Sequence, residues 1–219
     1  HLHKTCSVGS ATPQWRDSLF KSPQKDIVYV SSNPFIGDNE FLNFSGNEIF
    51  HKVYAAWKTH WDPIRGTVLP ANVTDIAIEA INNHKDKRHI IHYLQPHAPY
   101  LGLDTIGFQD PNSKDNFFAC EAGIKSNSIK GKLYHQLLKL SQKCHLFGNN
   151  PGWFIGQALG FPPQTPMDAA RRKVGKKKLK ELYIDNLNRV LMEVCLLLDN
   201  IDTEGKKIVI SSDHGEFLG

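Results

Sequence analysis

The last eleven residues, VISSDHGEFLG, set an Asp-His pair, Asp213 and His214, directly after an apolar β-branched run. A carboxylate oxygen and an imidazole nitrogen delivered side by side at a strand end form a donor set suited to a divalent cation such as Zn, Mn or Mg. The plain alternative is a turn in which Asp213 caps a helix and His214 is exposed, and three residues alone do not decide between them. Near the amino end, CSVGSATPQWRDSLF contains Thr12 followed by Pro13, with Arg16 four positions after the threonine. Thr-Pro reads as the N-cap and first turn of a helix, because the threonine oxygen accepts a free backbone N–H and proline there loses no hydrogen bond. Free N–H groups and the positive end of the helix dipole hold anions, which would bring a phosphate or sulfate against the Thr12 hydroxyl and within reach of the Arg16 guanidinium fork. A plain helix cap is the structural alternative for Thr12, and Ser10 is a second hydroxyl in nucleophile position.

Other chemistry-bearing stretches are QPHAPY, Gln95 to Tyr100, which carries His97, and SSNPF, Ser31 to Phe35, which carries Asn33. Both follow short apolar runs. DIVYVSS over 26–32, RHIIHYL over 88–94 and KKIVISS over 206–212 are bounded by charges and turn residues, the pattern of buried parallel strands. Helical periodicity lies between them, over 73–84 and over 179–201, where Leu182, Leu187, Val190, Leu191, Val194 and Leu198 fall near one face. Gly205 breaks the second helix before the last strand. Helix, short loop and buried strand in that order predict a mostly parallel sheet with helices on both faces, an α/β/α sandwich in three layers. Ligands in such sheets sit beyond the carboxyl ends of the strands, the places where Asn33, His97 and Asp213 stand. His92 lies two residues beyond Ile90 on its strand and reads as a packed core histidine. Asn33 and Pro34 read as a strand-end turn that faces the site. The irregular stretch 96–127 mixes Gly, Pro, Asn and Asp with aromatics and reads as a long functional loop.

At 219 residues, 40% hydrophobic and 22% charged, the chain fits one globular domain over 1–219. No apolar stretch approaches the roughly 18 to 20 residues of a membrane span, and HLHKTCSVGS lacks the architecture of a signal peptide. A start without Met and a stop straight after the Asp-His motif read as a piece of a longer chain. Cys6, Cys120, Cys144 and Cys195 are scattered without a C-x-x-C pair, so free thiols are expected. Sequons at Asn43 and Asn72 leave the compartment open. The net charge of +4 owes much to RRKVGKKKLK, 171–180, a solvated face or a surface for an anionic substrate or membrane. No nucleic-acid-binding signature is present, since the basic residues lack interleaved aromatics.

The stretch from Tyr183 to Gly219, with Tyr183, Asn186 and Leu187 on a helix and Ser212 to Glu216 after a strand, closely resembles the carboxyl-terminal part of the catalytic domain in the alkaline-phosphatase-like superfamily, sulfatase-like branch. His97 to Tyr100 resembles the H-x-P turn of the same group. The resemblance implies a metal-dependent hydrolase or transferase acting on phosphate or sulfate esters, with Thr12 as nucleophile. Asp213, His214 and Thr12 would hold a Zn, Mn, Mg or Ca ion, Arg16 would stabilise the transferred group, and His97 would contact substrate or protonate the leaving oxygen. Asn33 and Tyr100 would line the substrate site. The implied substrates are anionic small-molecule, lipid or glycan esters. The sulfatase motif C-x-P-x-R is matched in the spacing to Arg16 and in the following SLF, but threonine cannot become formylglycine, which favours phosphoryl over sulfuryl transfer. A true sulfatase and a non-catalytic anionic-glycan-binding relative are the alternatives. The family's upstream acidic ligands have no counterpart here, so a partial metal shell, weak metal binding and an inactive isolated fragment are expected. Convergence of Thr12 with Asp213 and His214 is the geometric requirement of this reading.

Overall fold

The computed structural model describes residues 3–38, 44–104, 107–112, 158, 160, 163, 165–216 and 218. Its elements in chain order are α1 (Thr12–Leu19), β1 (Gln24–Ser31), α2 (Gly46–Ile49), β2 (Phe50–Ala55), α3 (Ala56–Thr59), β3 (Trp61–Asp62), β4 (Thr67–Val68), α4 (Pro70–Asn83), β5 (Arg88–His92) and α5 (Pro166–Asp199). The frame is mixed α/β. A parallel sheet has the order β2-β1-β5, and β3 and β4 form a small antiparallel ribbon.

β1 is the centre of the sheet, and every residue from Ile27 to Ser31 is buried. That is why its sequence runs apolar without the alternation of a one-sided strand: both of its faces are covered. Val28 and Val30 pack with Val73, Ala77, Ala80 and Ile81 of α4 and with Leu197 of α5. Ile27 and Tyr29 pack toward Phe50 and Val53, with Trp15 of α1 and Phe20 at its end against them. Successive side chains of a strand point to opposite faces, so one strand organises both clusters. Tyr29 stands level with Val53 and Ile90, and Ser31 with Ala55 and His92, which brings the strands' carboxyl ends to one line. A third cluster, Ala98, Tyr100, Ala170, Leu179 and Leu182, joins α5 to the loop after β5.

The predicted strands over 26–32 and 88–94 and the helix over 73–84 are present as β1, β5 and α4. The helix expected over 179–201 begins earlier, at Pro166, where the Thr165 side chain accepts from the Asp168 N–H at 3.1 Å. It is broken at Gly175, whose φ of 77° no helical residue adopts. The basic run occupies this break, with Lys173, Lys176, Lys177, Lys178 and Lys180 exposed. Cys6 and Cys195 are exposed free thiols, whereas Cys120, Cys144, Asn43 and residues 113–127 of the expected loop lie outside the described residues.

The expected strand over 206–212 is a correction. The segment pairs with no strand among the described residues, and Ile208, Val209 and Ile210 are 47%, 72% and 62% exposed. Apolar β-branched residues favour a covered strand, but a ladder needs a partner edge in register; Asp213, just beyond the segment, lies beside His92 at the end of β5. Among the described residues no helix is long and apolar enough to cross a membrane.

His89 on β5 gives this frame a pH dependence. Burial holds its imidazole below the ordinary value; a bond with the Ala80 backbone opposes this, and His84 and Lys206 add repulsion of the charged form. The unfolded chain therefore takes up the proton first, and stability falls as pH drops below about 6.5. His89→Gln is expected to flatten the stability profile below about pH 6.5, measured by urea unfolding at descending pH. An unchanged slope would contradict the assignment.

Candidate active site

Thr12 is the first residue of α1, and the cap before it is Ala11, without a side-chain bond. This corrects the reading of Thr12 as a helix cap and leaves its hydroxyl for another use. The Thr12 Oγ1–H donates to Asp213 Oδ2 at 2.6 Å, across 201 positions of chain, and Thr12 Oγ1 accepts from Asn33 Nδ2 at 3.0 Å. The required convergence of chain start and chain end is therefore present. Thr12 is 4% exposed, so this is a sheltered hydroxyl with a carboxylate and an amide already aimed at it.

Asn33 is held by its own turn after β1. Its Oδ1 accepts from the Phe35 N–H at 3.0 Å, its N–H donates to Ser31 Oγ at 3.1 Å, and its carbonyl accepts from Ser31 Oγ–H at 2.8 Å and from the Ile36 N–H at 3.0 Å. A short polar side chain that closes its own turn in this way is rigid. Arg16 locks the turn from outside. Its Nη1–H donates to the Phe35 carbonyl at 2.7 Å, its Nε pairs with Asp17, and its guanidinium lies 4.5 Å from the centre of the Phe44 ring. The structure thus brings Arg16 to the turn that carries Asn33; none of these bonds goes to Thr12. The Ser10 hydroxyl donates to Gln14 Oε1 at 2.7 Å.

Asp213 is the meeting point. Its Oδ1 accepts from the His214 N–H at 3.0 Å, and its backbone carbonyl accepts from the Ser7 hydroxyl. His214 Nδ1–H donates to the Gly215 carbonyl at 2.9 Å, and its Nε2 lies 3.8 Å from Asp213 Oδ2. His92 Nε2 also lies 3.8 Å from that oxygen, and His92 Nδ1 is 2.9 Å from the Tyr29 hydroxyl. Burial, with Asp213 nearby, raises the Tyr29 phenol well above its ordinary value, and burial also keeps His92 neutral against the pull of Asp213. A Tyr29 O–H donating to Nδ1 would put the ring proton of His92 on Nε2, on the side of the carboxylate.

His97 occupies the other end of the 213–216 turn. Its Nδ1–H donates to the Ala98 carbonyl at 2.7 Å, its Nε2 is 3.7 Å from Glu216 Oε2, and the Phe108 ring stacks on it at 6.1 Å. The loop around it runs through two cis bonds, Gln95–Pro96 and Ala98–Pro99. Tyr100, expected to line the substrate site, is a correction: it is 1% exposed within the third cluster and presents no open face. Among the described residues its hydroxyl has no hydrogen-bond partner, and burial, reinforced by Glu216, pushes the phenol far up.

Among the described residues no group of three His, Cys, Asp or Glu side chains is arranged to hold a metal ion. What converges on Asp213 Oδ2 is the Thr12 hydroxyl at 2.6 Å and the Nε2 atoms of His92 and His214, each at 3.8 Å. Comparison with family models, with curated proteins and with solved structures finds no match.

Sequence reasoning missed two partners. His92 shares the face of Ile90, as expected of a packed residue, and also points its second nitrogen at the site; its position at the end of β5, opposite Ser31, was the available signal. Glu216 stood inside the motif without a role, and only the folded turn places it beside His97.

Thr12→Val keeps the shape and removes the hydroxyl, leaving Asn33 Nδ2 buried without an acceptor and Asp213 without its side-chain donor. Unfolding free energy is expected to fall by about 1–3 kcal/mol, with Thr12→Ser retaining most of the wild-type value. Equal stability of Thr12→Val and wild type in urea titrations would contradict the bonds.

Proposed function

We propose that this chain belongs to the catalytic domain of a metal-dependent enzyme of the alkaline-phosphatase-like superfamily, sulfatase-like branch, that transfers phosphoryl groups through Thr12. The observation that carries the reading is the Thr12 Oγ1–Asp213 Oδ2 bond of 2.6 Å, with Asn33 as a second partner of the same hydroxyl. It is supported by the resemblance of the Tyr183–Gly219 and His97–Tyr100 stretches to that family, and by helices packed against both faces of β1, as in a three-layer α/β/α domain.

In this reading Thr12 Oγ attacks phosphorus, the bond to the ester oxygen breaks, and the threonine proton is released to solvent as the hydroxyl ionises. The first turn of α1 offers N–H groups to the phosphate oxygens. Asn33 Nδ2 fixes one lone-pair direction of the nucleophile, and Arg16 acts by holding the Asn33 turn rather than by clamping the substrate. His97, with Glu216 beside its Nε2, protonates the departing oxygen. Asp213, His214 and Thr12 would hold a divalent metal, Zn, Mn, Mg or Ca, which supplies charge neutralisation at the transferred group. The phosphoryl donor is an anionic small-molecule, lipid or glycan ester. Threonine, which cannot form an aldehyde hydrate, sets phosphate esters ahead of sulfate esters.

In the full-length protein, Asp213→Asn is expected to lower metal-dependent turnover of an aryl phosphate by about 10²–10⁴-fold with unchanged circular dichroism. The paired aryl sulfate should be turned over more slowly than the phosphate by the wild type. Undiminished activity of the variant would remove the role given to Asp213, and faster sulfate release would replace the phosphoryl reading with a sulfatase.

A further inference from the structure

Asn186 has no exposed surface and sits in the middle of α5, where a short amide side chain competes with the backbone and costs stability unless every bond is made. All of its bonds go to one loop. Its Nδ2 hydrogens are shared among the carbonyls of Pro99 at 3.0 Å, His97 at 3.3 Å and Pro96 at 3.5 Å, and its Oδ1 accepts from the Leu101 N–H at 3.0 Å. A leucine here would fill the space with apolar contact alone. The amide instead satisfies four backbone groups of a loop that has no strand or helix of its own to satisfy them.

That loop carries His97. Asn186 grips the carbonyl of His97 itself and the residues on both sides of it, so the imidazole is fixed at its backbone by α5. At its ring, Ala98 takes the Nδ1 proton and Glu216 stands 3.7 Å from Nε2. Leu182, one turn before Asn186 on the same helix, packs with Ala98 and Tyr100 and closes the loop from below. We infer that Asn186 is a positioning residue: it sets His97 against Glu216, and, on the reading that His97 serves the departing oxygen, it sets the proton donor of the reaction. Three carbonyls within four residues of an irregular loop can be gathered by one pair of N–H groups only if the loop holds a single conformation.

Asn186→Asp tests this with minimal change of volume. The carboxylate keeps an acceptor for the Leu101 N–H and turns oxygen, in place of N–H, toward the other three carbonyls. In carbon-proton NMR spectra of the histidine rings, Glu216→Gln should shift the His97 signal in the wild-type background and leave it unmoved in the Asn186→Asp background, while the His214 signal is the same in both. Turnover of an aryl phosphate should fall about 10–100-fold in kcat with KM within about threefold. If the wild type shows no turnover, the phosphoryl reading fails and the NMR comparison still decides the role of Asn186. If Asn186→Asp does not fold, the wild type decides it: the side-chain amide protons of Asn186 should exchange with solvent far more slowly than those of the exposed Asn188. A His97 signal that still responds to Glu216→Gln in a folded Asn186→Asp protein, or an Asn186 amide exchanging as fast as that of Asn188, would overturn the inference.

Discussion

A carboxylate with 16% of its side chain exposed has lost most of its water, and Asp213 survives that loss only because donors replace it. The Thr12 hydroxyl takes one oxygen, the His214 N–H takes the other, and Ser7 takes the backbone carbonyl. Each of these donors comes from a segment placed by something else. Thr12 is set by α1, which Trp15 and Phe20 hold against the β1 face; Asn33, which steadies Thr12, is set by the turn that ends β1. The buried central strand and the polar hub are therefore one arrangement: β1 fixes where its carboxyl end lies, and that end is where the two distant parts of the chain are bonded together.

The same hub explains how the 206–213 segment can lack a ladder and still deliver Asp213. A run with three exposed apolar residues is held at its far end by the Asp213 bonds. Beyond it, the turn that follows carries Glu216 to His97, so one short turn serves both Thr12 and the loop after β5. The phenols around this turn stay protonated: Tyr29, Tyr100 and Tyr183 are all driven up by burial, with Asp213 or Glu216 contributing.

β1, α4 and β5 are legible in the sequence because their apolar patterns reflect burial on faces that the fold does cover. The run over 206–212 carries the same pattern, yet pattern reports only a preference for cover and says nothing of which edge supplies it. Thr12, Asp213 and His97 are legible as residue types with chemistry; their meeting is a tertiary fact, since no local rule links positions 12 and 213. Arg16 shows the limit of spacing. Four positions after Thr12 place it on the same side of α1, but the destination of a long guanidinium is chosen by what lies within reach, and the Phe35 carbonyl and Phe44 ring win. Tyr100 misleads for a related reason: an aromatic ring with a polar tip suits a binding site and a core equally well, and the α5 contacts decide for the core.

Phosphoryl transfer through Thr12 leaves a covalent mark, and trapping it is the most direct test of the site. The full-length protein is incubated with an aryl phosphate and zinc or manganese, quenched in acid, and mapped by peptide mass spectrometry. One phosphoryl group on Thr12, absent from the Asp213→Asn protein, is the expected result. A phosphoryl group on Ser10, or turnover of the ester with Thr12 unmodified throughout and with Thr12→Val as active as wild type, would contradict it.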